Sequence, residues 1–369
     1  MLKMKLFDIC DYVTSRTTNI ENYISTENML PNKGGVCTPS NVPSGAAIEY
    51  KVGDILISNI RPYFQIIWQA DCDGACSADV LCIRANNKAD NKFLYYLLSQ
   101  QLFFDYVMSG AKGCKMPRGD KKQIMQWQIS LPALEEQRRI AGILGAIDDK
   151  IENNRRINDN LEQQAQTLFD EWFVNDSTHP AEYNRASLTD IANYLNGLAM
   201  QRFRPQSDEK AIPVLKIKEL GQGMCDSSSD ICSQSIDSKY IVNDGDIIFS
   251  WSGTLLVDIW CGGICGLNQH LFMVTSDKYP KWFVYYWTKY HLAKFIRIAK
   301  DKAVTMGHIK RGDLETSEVL IPNAEILSKM DNIIAPIFDA IISRRVENKT
   351  LATLRDTLLP KLMNGEIKL

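Results

Sequence analysis

No run of about 18 uncharged apolar residues occurs anywhere in this 369-residue chain, so a membrane-spanning helix is not expected. The amino-terminal stretch MLKMKLFDICDY is interrupted by Lys3, Lys5, Asp8 and Asp11 and lacks the apolar core of a signal peptide. Ten cysteines are too sparse for a disulfide scaffold at this length, and without an export signal they read as reduced thiols in a cytoplasmic protein. The formal net charge is −2, which excludes a globally basic coat for nucleic acid but leaves room for local basic patches. No two of the 13 prolines are adjacent, the only Gly-x-Gly is Gly221 and Gly223 in a polar loop, and no Walker phosphate loop occurs. These absences argue against methyl or phosphoryl transfer by the chain itself.

What is present is a repeat. At a constant offset of 190 residues, FLYYLLSQ after Lys92 realigns with FVYYWTKY after Trp282, Leu131-Pro132 with Ile321-Pro322, and Leu161 with Leu351. Earlier in each half the offset drifts, as loop insertions cause: LFDICDYV resembles LTDIANYL, and VGDILIS at Val52 resembles DGDIIFS at Asp244. The chain therefore reads as two copies of one unit, 1–176 and 180–369.

Each copy opens with short β-branched and aromatic runs broken by turn residues: DILISNI, FQIIWQA and VLCIRA, then DIIFSW, LVDIWCG and LFMVTS. One amphipathic helix is expected next in each, around 92–108 and 281–299, followed by a Gly- or Lys-bearing loop and a short strand ending in Leu-Pro or Ile-Pro. A long helix then begins. In the first copy Ile140, Leu144, Ile147, Ile151, Asn154, Asn158, Leu161, Ala165, Leu168 and Trp172 form a seam at spacings of four and three. In the second, Met330, Ile334, Ile337, Ile341, Arg344, Asn348, Leu351, Arg355, Leu358 and Leu362 take the equivalent places, with Pro336 expected to start or kink the helix. Polar residues interrupt both seams at matched positions, Asn154 and Asn158 against Arg344 and Asn348. Such groups fix register, which predicts that the two helices meet at a defined point.

A helix from Ile140 to Trp172 spans roughly 50 Å at 1.5 Å per residue. Helix two can bury its seam on helix one only by returning antiparallel. The expected fold is α+β: two strand-rich mixed α/β domains in tandem, separated by two long antiparallel coiled-coil helices with pseudo-twofold symmetry. The boundaries are 1–132, 133–176, 177–322 and 323–369. A spacer on that scale suits duplex DNA, whose helical turn is roughly 34 to 36 Å.

Local chemistry agrees. The loop AKGCKMPRGDKK places Lys112, Lys115 and Arg118 beside Lys121 and Lys122, and IRIAKDKAVTMGHIKR offers Lys300, Lys302 and His308 with Arg297, Lys310 and Arg311. After the Gly-Asp-Ile strand the copies diverge, with Asn59, Arg61 and Tyr63 in one and Trp251, Ser252 and Thr254 in the other, as two readers of different bases require. Arg202 and Arg204 are further candidates for phosphate contact. Cys72 and Cys76, and Cys261 and Cys265, recur at an offset of 189, but all four histidines lie in the second half. Hairpin turns flanked by small strand residues explain these pairs better than zinc, and no metal is assigned.

The segment LPALEEQRRIAGILGAIDDKIENNRRINDNLEQQAQTLFDEWFV resembles the central region of the specificity subunits of type I restriction-modification systems. GDIIFSWSGTL, GLNQHLFMV and ATLRDTLLPKLMNGEI are similar to that family's target-recognition and carboxy-terminal segments. The resemblance implies that each globular domain is a target-recognition domain reading half of a bipartite site in double-stranded DNA. The helices would set the gap and dock two methyltransferase (modification) subunits. It also implies no active site and no cofactor here: S-adenosylmethionine, ATP and magnesium would belong to the modification and restriction/translocase subunits. The alternative from residues alone is an assembly scaffold that recruits proteins and binds no DNA.

Overall fold

The Gly-Asp-Ile segments dictate the same turn twice. Gly53 and Gly245 take φ of 89° and 91°, a region that penalises any Cβ. The following aspartates accept from the backbone N–H three residues back, Lys51 to Asp54 and Asn243 to Asp246, both at 2.8 Å. Each turn launches a buried strand, Ile55–Ser58 and Ile247–Ser250. These observations come from a computed structural model that describes residues 2–30, 33–39, 41–175, 183–301 and 307–369.

The chain divides into two units, one of residues 1–150 with 351–369 and the other of 151–350. In the first, a four-stranded antiparallel sheet runs in the order Cys10–Tyr12, Val80–Ala85, Ile55–Ser58, Ile67–Gln69. In the second, Asn193–Asn196, Leu271–Thr275, Ile247–Ser250 and Leu256–Ile259 repeat that order and sense. Each unit also has a two-stranded ladder, Leu2–Lys5 with Gln128–Leu131 and Asn184–Ser187 with Glu318–Ile321. The smaller sheets differ: three antiparallel strands in the first unit, and four strands with one parallel pairing in the second.

Where one amphipathic helix was expected per copy there are two, Asn91–Leu98 with Gln101–Ser109, and Lys281–Tyr290 with Leu292–Asp301. In the first unit side chains interrupt the ladder: Ser99 donates to the Tyr95 carbonyl at 2.7 Å and Gln100 to that of Leu97 at 3.1 Å, and Gln100 is extended.

The first long helix is Leu134–Phe169, closed by a π turn over Asp170–Val174; the second is Ala324–Met363. Pro336 does not start the second helix, which begins twelve residues earlier. It sits on the exposed face, where water can satisfy the carbonyl its missing N–H leaves free. Within each unit the helices run antiparallel. In the first, Leu359, Leu362 and Met363 share a core with Leu144, Leu6 and Phe93. In the second, Ile334, Phe338 and Met330 share one with Ala165, Phe169 and Trp282.

The polar interruption is a real meeting point. Asn154 donates to Asn348 Oδ1 at 2.8 Å, Asn348 donates to the Ile151 carbonyl and Asn158 to that of Ile341, both at 3.2 Å. Ile140, Leu144, Ile151 and Ile341 are buried as the seam predicts; Ile147, Leu161, Leu168 and Leu351 are half-buried. Four positions need correcting. Arg344 turns back to the Ala340 carbonyl on its own helix, while Leu168, Ile337 and Leu358 are half-buried and their neighbours Phe169, Phe338 and Leu359 buried. Each helix also walls a globular core, so the buried arc is wider than an a/d stripe and is rotated toward that core.

Candidate nucleic-acid interface

In each unit the strand after the Gly-Asp turn ends in a buried serine whose hydroxyl holds the next loop. Ser58 donates to the Ile60 carbonyl at 3.1 Å, and Ser250 to those of Thr254 at 2.8 Å and Ser252 at 3.2 Å. Beyond the serine each loop is stitched to its unit's basic loop. Arg61 N–H donates to the Pro117 carbonyl at 2.8 Å, and Ile60 bridges Arg118. In the second unit Gly253 N–H reaches the Gly307 carbonyl at 3.0 Å, Ile309 N–H reaches that of Trp251 at 3.1 Å, and Ser252 bridges His308. The sequence left these two candidate regions separate; in each unit the fold joins them at the end of the central strand.

The two tips differ chemically. In the first unit Tyr63 and Arg118, Lys112 and Lys115 are exposed. Lys112 pairs with Asp120 at 3.1 Å and Arg118 with Asp79 at 3.3 Å, so both are part-neutralised. Exposed pairs of this kind contribute only about 0–1 kcal/mol, and a phosphate can compete for the cation. Asp120 caps the helix Lys121–Met125; the Gln123 amide, the Lys112 ammonium and the Lys122 amide hold its carboxyl below the usual carboxylate range. Asn59 is turned into the protein. It is 8% exposed, its N–H donates to the Asp79 carbonyl at 2.9 Å, and Gly119 packs over its Oδ1 so closely that a Cβ there would sit 2.9 Å away.

In the second unit Trp251 is half-buried, its indole N–H donating to Asn196 Oδ1 at 2.9 Å and its ring beside Phe272 at 5.7 Å and His270 at 6.0 Å. Ser252 is buried, and its hydroxyl meets His270 Nδ1 at 2.9 Å, a contact that orients the histidine. Thr254 and His308 are exposed, the His308 ring lying edge-on to Trp251 at 6.5 Å. Lys300 is exposed near the end of Leu292–Asp301; Lys302 lies outside the described residues. Arg202 and Arg204 are exposed on a turn tied elsewhere, where Ser233 N–H donates to the Phe203 carbonyl at 2.8 Å beside the smaller sheet. Asn196 and His270 were missed, because a strand-end asparagine and a turn histidine carry no local signal of which tryptophan they will meet.

The helix pair has its own electrostatics. Arg345 donates to Glu162 at 2.7 Å and to Asp258 at 2.8 Å, joining both long helices to the sheet of the second unit. In the first unit Asp148 accepts from Arg355 at 2.8 Å and from the Tyr96 hydroxyl at 2.6 Å. The Asp148 charge adds to burial in pushing the Tyr96 phenol above its ordinary range.

Cys76 and Cys265 are buried strand residues, Cys72 is half-buried and Cys261 is buried. Among the described residues no group of three or more His, Cys, Asp or Glu is placed to hold a metal, and no helix is long and apolar enough to cross a membrane.

Comparison with known proteins follows the same repeat. The model of the type I restriction modification DNA specificity domain matches residues 3–163 and again 180–355. The chain is 28% identical to the type I restriction enzyme MjaIX specificity subunit of Methanocaldococcus jannaschii, over 75% of this chain and 69% of that one. It is 23% identical to the HindI specificity subunit of Haemophilus influenzae over 94% of each chain. Among solved structures, the S subunit of a type I restriction-modification system from M. genitalium covers 98% of this chain and 96% of its own, with a TM-score of 0.56 at 15% identity, a likeness of fold. With two copies of one domain accounting for nearly all of its length, the chain belongs to the family of type I restriction-modification DNA specificity proteins.

Proposed function

We propose that the two units are target-recognition modules for different halves of one bipartite DNA site, with the long helices setting the gap between the halves. The chain is a DNA-specificity subunit and not an enzyme. The observation that carries the proposal is the repeated tip: one strand order, one serine-held loop and one backbone stitch to a basic loop, bearing Arg61 and Tyr63 in one unit and Trp251 and Thr254 in the other. Equivalent frames with different side chains are what two base readers on one chain require.

On this reading Lys112, Lys115, Arg118, Lys300, Lys302 and His308 meet phosphates, and Arg202 and Arg204 add contacts from the second unit. The modules are 1–132 and 177–322; the helical segments 133–176 and 323–369 dock two methyltransferase subunits through surface left free by the seam, in a complex acting on DNA in the cytoplasm. S-adenosylmethionine, ATP and magnesium belong to those methyltransferases and to the restriction/translocase subunits. The test is a bipartite duplex selected by the intact complex, into whose gap one base pair is then inserted. A steep loss of affinity supports the fixed gap, and unchanged affinity overturns it.

A further inference from the structure

The loop after Ile55–Ser58 adopts an unfavourable backbone. Arg61 and Gln65 lie in the left-handed region at φ 51° and 50°, a conformation that side-chain-bearing residues avoid, with Pro62 fixed between them. Asn59 Oδ1 and Arg61 Nε are buried beside it with no hydrogen-bond partner among the described residues. The loop nevertheless is held firmly: Phe64 N–H donates to the Arg61 carbonyl at 3.0 Å, Gln65 N–H to that of Pro62 at 2.9 Å, and the Gln65 side chain to Gln101.

The outcome of this strain is a display. Tyr63 is 49% exposed and Phe64 40%, and their rings are tilted by 54° to one another with centroids 4.6 Å apart. Neither belongs to a hydrophobic core of its unit among the described residues. Pro62 is buried between the two strained residues, and the turn it anchors carries two exposed rings outward. The second unit does the opposite at the equivalent place, where a glycine takes the left-handed position at Gly253, φ 65°, and Trp251 is tied inward to Asn196.

The setting selects the ligand. The same loop is bonded through Arg61 and Ile60 to the segment carrying Lys112, Lys115 and Arg118, so the ring pair and these cations stand on two joined loops. An apolar pair on a loop joined to a cationic one complements a base step with its flanking phosphates. We infer that Tyr63 and Phe64 form a wedge that enters between adjacent base pairs of the half-site read by the first unit, while the neighbouring cations hold the phosphates on either side. The inference rests on the DNA-reading role proposed above. It adds that the first unit senses how easily a step unstacks, favouring flexible pyrimidine–purine steps, whereas the second unit reads without a wedge.

The test uses the full chain and a duplex selected by the wild type from a randomised pool, with 2-aminopurine placed at successive positions of each half-site. The expected result is a several-fold fluorescence rise at one step of the first half-site only. The Tyr63→Ser, Phe64→Ser double variant should abolish that rise and bind about tenfold more weakly. It should still select the same second half-site, which shows that it folds. The wedge is overturned if no step brightens with the wild type, or if the double variant keeps both the rise and the affinity. It is equally overturned if the variant loses the rise yet binds the duplex with wild-type affinity, since the rings would then contribute nothing to DNA binding. If the wild type selects no sequence at all, the DNA-reading role itself fails and the wedge with it.

Discussion

Asn154 and Asn348 hold the two long helices of the second unit in one register through a 2.8 Å hydrogen bond, and Asn348 reaches on to the Ile151 carbonyl at 3.2 Å. Replacing Asn348 by Ala leaves the buried Asn154 amide only its bond to Glu347 at 2.7 Å and should lower stability by about 1 kcal/mol, read as a shift in the urea midpoint at constant slope. Replacing both asparagines by Leu should restore or exceed wild-type stability while admitting alternative registers and self-association, visible by light scattering. An Asn348→Ala midpoint equal to wild type would show that the bond to Glu347 alone holds the register.

Arg345 sits between Glu162 and Asp258, with about a quarter of its side chain exposed. Its removal in Arg345→Ala leaves two part-buried carboxylates facing each other's field. The expected cost is about 2–3 kcal/mol, below the range for a fully buried pair because water still reaches all three groups. Thermal unfolding with and without 0.5 M salt checks it, and the loss should be smaller at high salt, at about 3 to 5 Å of screening length.

His291 is buried, its Nε2 at 2.8 Å from the Glu318 carbonyl, and burial pushes its pKa below the ordinary histidine value. The unfolded chain therefore takes up this proton first as pH falls. Stability from this group is full above about pH 6.5 and declines as pH drops through that value toward the lower folded pKa. Unfolding at pH 7.5 and 5.5 should show the loss, and His291→Gln should flatten that part of the pH profile. An unchanged profile in the variant would assign the pH dependence to other groups.

Gly197 follows the strand that positions Asn196, and a Cβ there would lie 2.3 Å from the Asn268 carbonyl oxygen. Backbone cannot yield as a side-chain tip can, so Gly197→Ala should cost about 1–3 kcal/mol or more and loosen the Asn196 hold on Trp251. Discrimination at the second half-site should fall, with the first half-site read as before.

Converting Lys112, Lys115 and Lys300 to Gln should weaken DNA binding across sequences alike and reduce the salt slope by about 0.9 for each phosphate that is no longer neutralised. DNA retention that ignores all three changes would favour a protein-binding scaffold instead.

The strands were readable because their signals are local: the Gly53 and Gly245 turns, β-branched runs and flanking prolines mark them in both copies. The long helices were readable for the same reason, down to the asparagines that meet. What was hidden depends on partners distant in sequence. Nothing around Asn59 announces that Gly119 will cover it, nothing around Arg344 announces that its neighbour Arg345 will make the crossing bonds, and the break at Ser99 and Gln100 arises from side chains bonding back to their own helix.

Leu359, Leu362 and Met363 lie in the same core as Leu6 and Phe93. During synthesis the ribosome therefore releases the first unit's opening residues long before the wall they pack against exists, whereas residues 151–350 emerge as one uninterrupted stretch. The first unit therefore cannot close its core until residues 359–363 are made, and its apolar surface stays uncovered until then.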